Sequence, residues 1–422
     1  MTTTTSRIPG LHKMSPEERL QKVVEVTGLS EDVVRHLGNT GNLDSATADS
    51  MIENVIGTMN IPLGVATNML VDGHDVLVPM ATEESSVVAA VCNAARQCRS
   101  TGGFKTDMSN SHMIAQVQLL GVPNPEFARL QILEHKSHVQ LICDETDPVL
   151  LKHGGGFRDM EVRVLKGRTG PMVVTHLIVD TRDAMGANAV NSMAEAVAPH
   201  IAKWTGGKTY LRILSNLADR RLARARATWA LDEIGGAEVR DGILAAYDFA
   251  DIDPYRAATH NKGIMNGVSA VVLATGNDCR AVEAGAHAYA ARTGQYSSLT
   301  RWEADADGNL TGTIEMPLAV GLIGGATRSH PTARIALDIM NITTAERLAC
   351  TIAAVGLAQN FAALKALATT GIQKGHMALH AKNIAVMAGA VGDEIEKVAD
   401  ALVKLGKVRV DVAEEILNEV RQ

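Results

Sequence analysis

The sequence predicts an α+β fold: a large helix-rich domain, interrupted by a small inserted domain with the order βαββαβ and followed by a short helical unit near the C-terminal end. Three observations lead there. At 422 residues the chain is longer than one hydrophobic core usually serves, so more than one domain is expected. Between Ile114 and Leu214 the apolar period alternates between that of a strand and that of a helix, whereas the flanking segments keep the helical period. Beyond Gly375, glycines divide the chain into short amphipathic pieces.

In chain order, the first flank contains Glu84 to Arg99, with Val87, Val88, Val91, Ala94 and Ala95 on one helical face. The inserted block reads strand (Ile114 to Val122), helix (Pro125 to Cys143), strand (Glu161 to Leu165), strand (Met172 to Asp180), helix (Gly186 to Trp204) and strand (Thr209 to Leu214). That order is the split-βαβ, ferredoxin-like arrangement. The second flank contributes helices over Arg280 to Arg292 and Ala345 to Thr369, the latter so rich in Ala and Leu that it belongs at the centre of the large domain. Three pieces, His376 to Ala388, Asp393 to Leu405 and Asp411 to Arg421, are jointed by Gly389, Gly392 and Gly406 and suit a mobile flap. The expected division is residues 1–110 and 220–374 for the large domain, 111–219 for the inserted domain and 375–422 for the flap.

Composition narrows the function. The net charge is −7 and aromatics make up 3%, with basic residues scattered, so neither an electrostatic footprint nor a stacking platform for nucleic acid is present. The threonine-rich start lacks a signal-peptide pattern, and apolar runs such as Val268 to Ala274 are too short to span a bilayer; the expectation is a cytoplasmic protein without a membrane partner. Five cysteines without CxxC spacing indicate reduced thiols rather than a disulfide framework or thiolate metal site.

Several motifs can carry chemistry. Asp183-Ala-Met-Gly-Ala-Asn188 enters a helix whose unpaired amides could receive a pyrophosphate beside Gly186, with a plain Asp cap as the competing reading. It is not a GxGxxG fingerprint. Thr259 to Asn266, near Arg256, places Lys262 where it could face a developing oxyanion, although a surface turn fits equally. Asp278 precedes a helix and either caps it or holds a buried lysine charged. Glu84 starts a helix, where the dipole alone favours an acid, and it could instead carry a proton. His376 and His380 share a helical face at metal-ligand spacing, but Met377 stands where HExxH has its glutamate, so an acid/base or packed histidine is favoured and no metal is expected.

Together these stretches resemble the class II (bacterial-type) 3-hydroxy-3-methylglutaryl-coenzyme A (HMG-CoA) reductases over essentially the whole chain. The residues carrying the resemblance are Glu53 to Gly57, Glu84 to Val88, Asp183 to Asn188, Arg212 to Asn216, Asp253 to Arg256, His260 to Gly267, Gly276 to Asp278 and Gly375 to Ala381. It implies a large substrate domain, a ferredoxin-like cofactor domain and a C-terminal flap with a catalytic histidine. The implied reaction is HMG-CoA to mevalonate and CoA by two successive hydride transfers, through mevaldyl-CoA and mevaldehyde.

Residue by residue, the resemblance gives Lys262 the oxyanion, Asp278 a hydrogen bond to that lysine, Glu84 the proton for the aldehyde oxygen and His376 the proton for the CoA thiolate. Glu84 is preferred to Glu83 because it lies two residues before Ser86. Ser86, Arg256 and Asn266 resemble HMG contacts; Asp183, Met185, Gly186, Asn188 and Asn216 resemble cofactor contacts. Asp147, in Asp144-Glu-Thr-Asp-Pro148, resembles the acid of NAD-preferring members, so NAD(H) is expected over NADP(H), with an Asp-Pro turn as the alternative. Near the N-terminus, His12 and Lys13 stand where members often have a CoA-contacting arginine. A homodimer or a multiple of it is implied. The competing function is a metal-dependent hydrolase or lyase acting on a CoA thioester through His376 and His380.

Overall fold

The computed structural model describes residues 5–369 and 372–421, without the side chains of residues 372–379. His376 therefore lies outside the described residues as a side chain, although its backbone is helical.

The first hairpin pairs β1 (Leu63–Val71) with β2 (His74–Ala81) through Asp72-Gly73, both at positive φ, the geometry of a two-residue turn that matches strand twist. The helix Val87–Gln97 packs on β1, and Pro254–Ala274 packs on β2. After β3 (Lys105–Met108) the chain enters the inserted unit: β4 (His112–Leu120), β5 (Gly156–Gly167), β6 (Gly170–Asp180) and β7 (Lys208–Ser215). Their order is β5-β6-β4-β7 and every pairing is antiparallel. That is the ferredoxin-like order expected from the βαββαβ sequence.

One face of this sheet carries the helices Pro125–Glu134, Lys136–Thr146 and Ala187–Thr205, which close a separate core of Val117, Leu119, Ile132, Leu177, Met193 and Val197 among others. The single helix expected over Pro125 to Cys143 is two, broken at His135. A further short helix, Pro148–Lys152, occupies a stretch expected to be a loop.

The large unit contains more strand than its sequence suggests. Beyond the hairpin, β8 (Leu222–Trp229), β9 (Thr300–Ala304) and β10 (Leu310–Pro317) join β3 in the order β3-β8-β10-β9. Their inward residues, Ala223, Ala225, Ala227, Trp229 and Ile314, meet the helix Ala345–Ala368. That helix is the centre of the core: Trp229 stacks on its Phe361 at 4.3 Å with the rings 8° from parallel. Among the described residues it is also the one helix long and apolar enough to cross a bilayer, but 83% of that window is buried inside the protein. Burial under a sheet accounts for its composition.

The C-terminal helices Ile372–Met387, Glu394–Leu405 and Val410–Val420 form a third small core around Ala385, Val398, Leu402 and Ile416.

Candidate active site

A cleft of about 2260 Å³ brings all three units to one place. Its walls include Glu84 and Ser86, the loop Ala184 to Ala189, Asp147, Gly276 to Asp278, and Lys382 and Asn383 of the C-terminal unit.

Glu84 sits just ahead of the helix Val87–Gln97, which begins later than the sequence suggests. Lys262 and Asn266 are one turn apart on Pro254–Ala274 and therefore share a face. Both reach Glu84: Lys262 Nζ donates to Oε2 at 2.8 Å and Asn266 Nδ2 donates to Oε1 at 3.3 Å. Lys262 and Asn266, 178 and 182 positions beyond Glu84 in sequence, thus meet it at one carboxylate, and all three were expected to be functional. The pair is open to solvent, with Lys262 61% and Glu84 42% exposed, so it adds only about 0–1 kcal/mol to stability.

Ser86 is the helix N-cap but makes no capping bond. Its φ is 74°, a left-handed conformation that favours glycine, and its hydroxyl is buried without a hydrogen-bond partner. Backbone strain together with an orphaned polar atom marks a residue shaped for a ligand.

Asp278 takes the first of its two expected roles, the cap, in place of the lysine bond that the resemblance implies. Its Oδ1 accepts from the Arg280 and Ala281 amides at 2.9 and 3.1 Å and pairs with the Arg280 guanidinium at 3.3 Å, so it caps the helix Cys279–Ala290 and makes no bond to Lys262. The orphan amides of the helix start claim the carboxylate. It nevertheless faces the cleft.

Arg256 is also held apart. Six residues before Lys262, it lies about 120° around the helix and off the cleft. It is half-buried, without a carboxylate partner among the described residues, and burial lowers its pKa.

The Asp183 to Asn188 loop divides its labour. The Asp183 carboxylate accepts from the Ala345 amide at 2.8 Å and its carbonyl accepts from the Leu322 amide at 2.8 Å, so it ties the loop to the large unit rather than facing a ligand. Met185, Gly186 and Asn188 line the cleft. Gly186 is the N-cap of Ala187–Thr205, at φ 96° and with no side-chain cap, so the first amides of a 19-residue helix are left without a side-chain acceptor. An added Cβ would stand 2.3 Å from Thr181 Cγ2. An uncapped helix start on a glycine, facing a cleft, fits a pyrophosphate.

Asp147 also lines the cleft. Its Oδ1 accepts from the Leu150 amide at 2.9 Å, capping Pro148–Lys152. Asn216 is exposed and off the cleft. His12 lines it, as do Arg96, Arg280 and Lys382, which no sequence motif singles out. Among the described residues, no group of three or more His, Cys, Asp or Glu side chains could hold a metal ion.

Residues 15–381 match the family described as hydroxymethylglutaryl-coenzyme A reductase. The chain belongs to that family. It is 57% identical over 417 residues to the 3-hydroxy-3-methylglutaryl-coenzyme A reductase of Archaeoglobus fulgidus, covering 99% of this chain and 95% of that protein. It is 36% identical over 352 residues to the probable reductase of Borreliella burgdorferi, covering 79% and 77%. Two solved Streptococcus pneumoniae structures share its fold. One, a 3-hydroxy-3-methylglutaryl-coenzyme A reductase, has a TM-score of 0.84 and 38% identity, covering 98% of this chain and 99% of that one. The other, described as a class II 3-hydroxy-3-methylglutaryl-CoA reductase bound to NADPH in open conformations, has a TM-score of 0.82 and 38% identity, covering 97% and 100%. The class II resemblance read from the sequence holds.

Within this member of the reductase family, the helix bearing Lys262 is anchored from below by His260. Trp302 Nε1 and Thr300 Oγ1 donate to Asn360 Oδ1 at 2.8 and 2.9 Å, fixing that amide so that its Nδ2 points at His260 Nε2, 3.2 Å away. His260 Nε2 also lies 2.8 Å from Ser298 Oγ and 2.9 Å from Thr300 Oγ1, and Nδ1 is buried without a partner. Burial, with Arg256 nearby, pushes the pKa down to about 3. As pH falls below the unfolded value near 6.5, the unfolded chain takes a proton that the folded chain refuses, so stability falls, and keeps falling until the folded pKa is reached. We expect a loss of about 2 kcal/mol between roughly pH 7 and pH 5 from this residue alone. Denaturant midpoints at both pH values, for wild type and His260→Gln, check it; identical pH slopes would remove His260 as the cause.

Proposed function

We propose that the chain interconverts HMG-CoA and mevalonate plus coenzyme A as a hydroxymethylglutaryl-CoA reductase using a nicotinamide cofactor. The meeting of Lys262 and Asn266 at Glu84, which lines the cleft that also receives the Gly186 helix start, carries this reading. When bound, each cofactor molecule would supply one hydride to the substrate carbonyl carbon, and two are used per turnover, with mevaldyl-CoA and mevaldehyde between.

This chain's residues then act on the oxygen and the sulfur. Lys262 Nζ stabilises the charge that develops on the carbonyl oxygen as the carbon is reduced. Glu84 gives the aldehyde oxygen its proton and is left as the carboxylate that pairs with the same ammonium, with Asn266 fixing its direction. The orphaned Ser86 hydroxyl is available to the HMG group. His376 protonates the departing CoA thiolate. The amides after Gly186, with Met185 and Asn188 beside them, hold the cofactor's pyrophosphate. In this division, residues 1–110 and 220–374 carry the substrate, 111–219 the cofactor and 375–422 the flap. A metal-dependent hydrolase finds no support in the family match. The test is to follow the reduced-cofactor absorbance with HMG-CoA and NADH or NADPH, then with mevalonate, CoA and each oxidised form; no change in either direction would sink the reading.

NADH is the preferred cofactor. With Oδ1 used as a cap, Asp147 keeps Oδ2 for a ribose hydroxyl, and its charge repels a 2′-phosphate. One Streptococcus pneumoniae relative is described as bound to NADPH, so in this reading discrimination is set by each member's own residues at this position. Asp147→Asn should shift the NADH-to-NADPH ratio of kcat/KM toward NADPH by about tenfold, the effect of ~1.4 kcal/mol of removed repulsion. An unchanged ratio would reject Asp147 as the discriminator.

We also read the working form as a cytoplasmic homodimer or a multiple of it. Ile252, Tyr255, Ile56 and Met59 are 72, 88, 105 and 89% exposed, and Ile252 and Tyr255 lie just ahead of Arg256, which is off its own cleft. Apolar exposure of this kind marks a protein interface. Light scattering should give at least a dimer, recovered in the soluble fraction; a fully active monomer contradicts it.

A further inference from the structure

Arg221, just ahead of β8, is fully buried, yet it forms no ion pair with a carboxylate among the described residues. Its guanidinium is directed at the loop ahead of Gly186. Nη1 donates to Thr181 Oγ1 at 2.9 Å, Ala184 O at 3.0 Å and Met185 O at 3.4 Å; Nη2 donates to Val320 O at 2.6 Å and Arg182 O at 3.5 Å. Nε is buried without a partner. The nearest acids are engaged elsewhere, Asp180 with Arg158 and Arg182, and Asp183 with the Ala345 amide.

A buried cation left without a counterion is destabilising, and an apolar side chain of similar volume would fill the space without that penalty. Burial brings the Arg221 pKa down only to about 10, so the charge persists at neutral pH. Its placement gives it a use. Four of its five bonds go to residues 181–185, and Met185 is the residue before the glycine that opens the helix. The fifth goes to the segment that presses on the same loop, where a Cβ on Gly321 would stand 2.4 Å from the Met185 nitrogen. A fork with several fixed donors can hold a loop in one conformation where a single contact cannot. Its positive charge also adds to that of the helix start beside it.

We infer that Arg221 is a positioning residue for the nicotinamide cofactor: it fixes the loop 181–185 so that the amides after Gly186 point into the cleft, and it supplies a buried counter-charge to the cofactor's phosphates. The inference rests on the reading of the Gly186 helix start as the pyrophosphate seat. A residue that merely joins two units of the fold would lower stability, and with it the affinity for every ligand alike. Arg221 should act on one ligand.

The test uses the full chain. Affinity for the reduced cofactor is measured by its fluorescence and affinity for HMG-CoA by calorimetry, in Arg221→Lys, Thr181→Val and Asn188→Ala. Arg221→Lys keeps the charge but loses the fork, and should raise the cofactor Kd about tenfold while leaving the HMG-CoA Kd at the wild-type value. Thr181→Val removes one acceptor at nearly constant shape and should move the cofactor Kd the same way by a smaller factor, about threefold, which keeps the test open if the arginine variant does not fold. Asn188→Ala reports on the seat itself. If it weakens the cofactor while Arg221→Lys and Thr181→Val do not, the Arg221 inference falls and the seat stands. If it leaves the cofactor Kd unchanged, the seat is misassigned and the inference falls with it. Equal losses of cofactor and HMG-CoA affinity would overturn the inference in favour of a structural role.

Discussion

Lys262→Ala should abolish both reductive steps, lowering kcat by about a thousandfold or more with HMG-CoA and with free mevaldehyde alike, at unchanged thermal stability. The size follows from removing a preorganised cation from the atom where charge develops, which costs about 10²–10³ for a single oxyanion donor and more when the donor is charged. Both substrates suffer because both steps reduce a carbonyl. Stability is spared because the Lys262–Glu84 pair is exposed, 61% and 42%, and worth about 0–1 kcal/mol. The loss also leaves Glu84 without its 2.8 Å partner, with only the longer Asn266 contact at 3.3 Å. His376→Ala should behave differently, impairing thioester reduction while sparing mevaldehyde, which has no thiolate to protonate. Separate steady-state assays with the two substrates check both variants. A Lys262→Ala enzyme that still reduces mevaldehyde near the wild-type rate would show that the oxyanion is held by another group.

The inserted unit was legible because its elements differ in period: β4 and the helix Ala187–Thr205 each bury one face of an apolar pattern against a common core, and β6 is a short run buried on both faces. The sheet of the large unit was not anticipated. β8, Leu-Ala-Arg-Ala-Arg-Ala-Thr-Trp, does alternate apolar and polar residues and was a readable strand, missed in the sequence analysis; its inward residues are mostly alanines beside Trp229, Trp302 and Phe361. β3 has four residues, too few to show a period.

The site divides similarly. Lys262 and Asn266 share a helical face that spacing alone predicts, but their convergence on Glu84 depends on packing between helices far apart in sequence. Resemblance to a family supplied what periodicity could not. At Asp278 and Asp183 the structure shows partners that the resemblance does not imply: local amides claim an oxygen of the first carboxylate, and the start of the central helix an oxygen of the second. Arg221 gave no signal at all. In Asp219-Arg-Arg221 it looks like any solvated charge, and only three-dimensional burial separates it from the exposed Arg220 beside it.

Gly186→Ala should reduce cofactor affinity by about a hundredfold or more while HMG-CoA still binds. Two effects coincide at this residue. Its φ of 96° lies in the left-handed region, where a side chain clashes with its own backbone at a cost of about 1–3 kcal/mol. The added Cβ would also stand 2.3 Å from Thr181 Cγ2, 2.6 Å from Thr181 Cβ and 2.9 Å from Thr181 Oγ1. The Thr181 Cβ cannot swing away as the end of a long side chain can, because it is fixed to the backbone, and its hydroxyl is held by Arg221 at 2.9 Å. The loop must therefore shift, carrying the first amides of Ala187–Thr205 with it, and a displacement of about 1 Å at a ligand-positioning group is enough for a hundredfold loss. Thr181→Ser in the same background removes the closest of the three contacts and keeps the hydroxyl for Arg221, so the double variant should recover part of the loss. Fluorescence titration with reduced cofactor, alongside calorimetry with HMG-CoA, reads both effects. Wild-type cofactor affinity in folded Gly186→Ala would mean that the phosphates are held elsewhere in the cleft; equal loss of both ligands would mean that the substitution acts on the fold rather than on the seat.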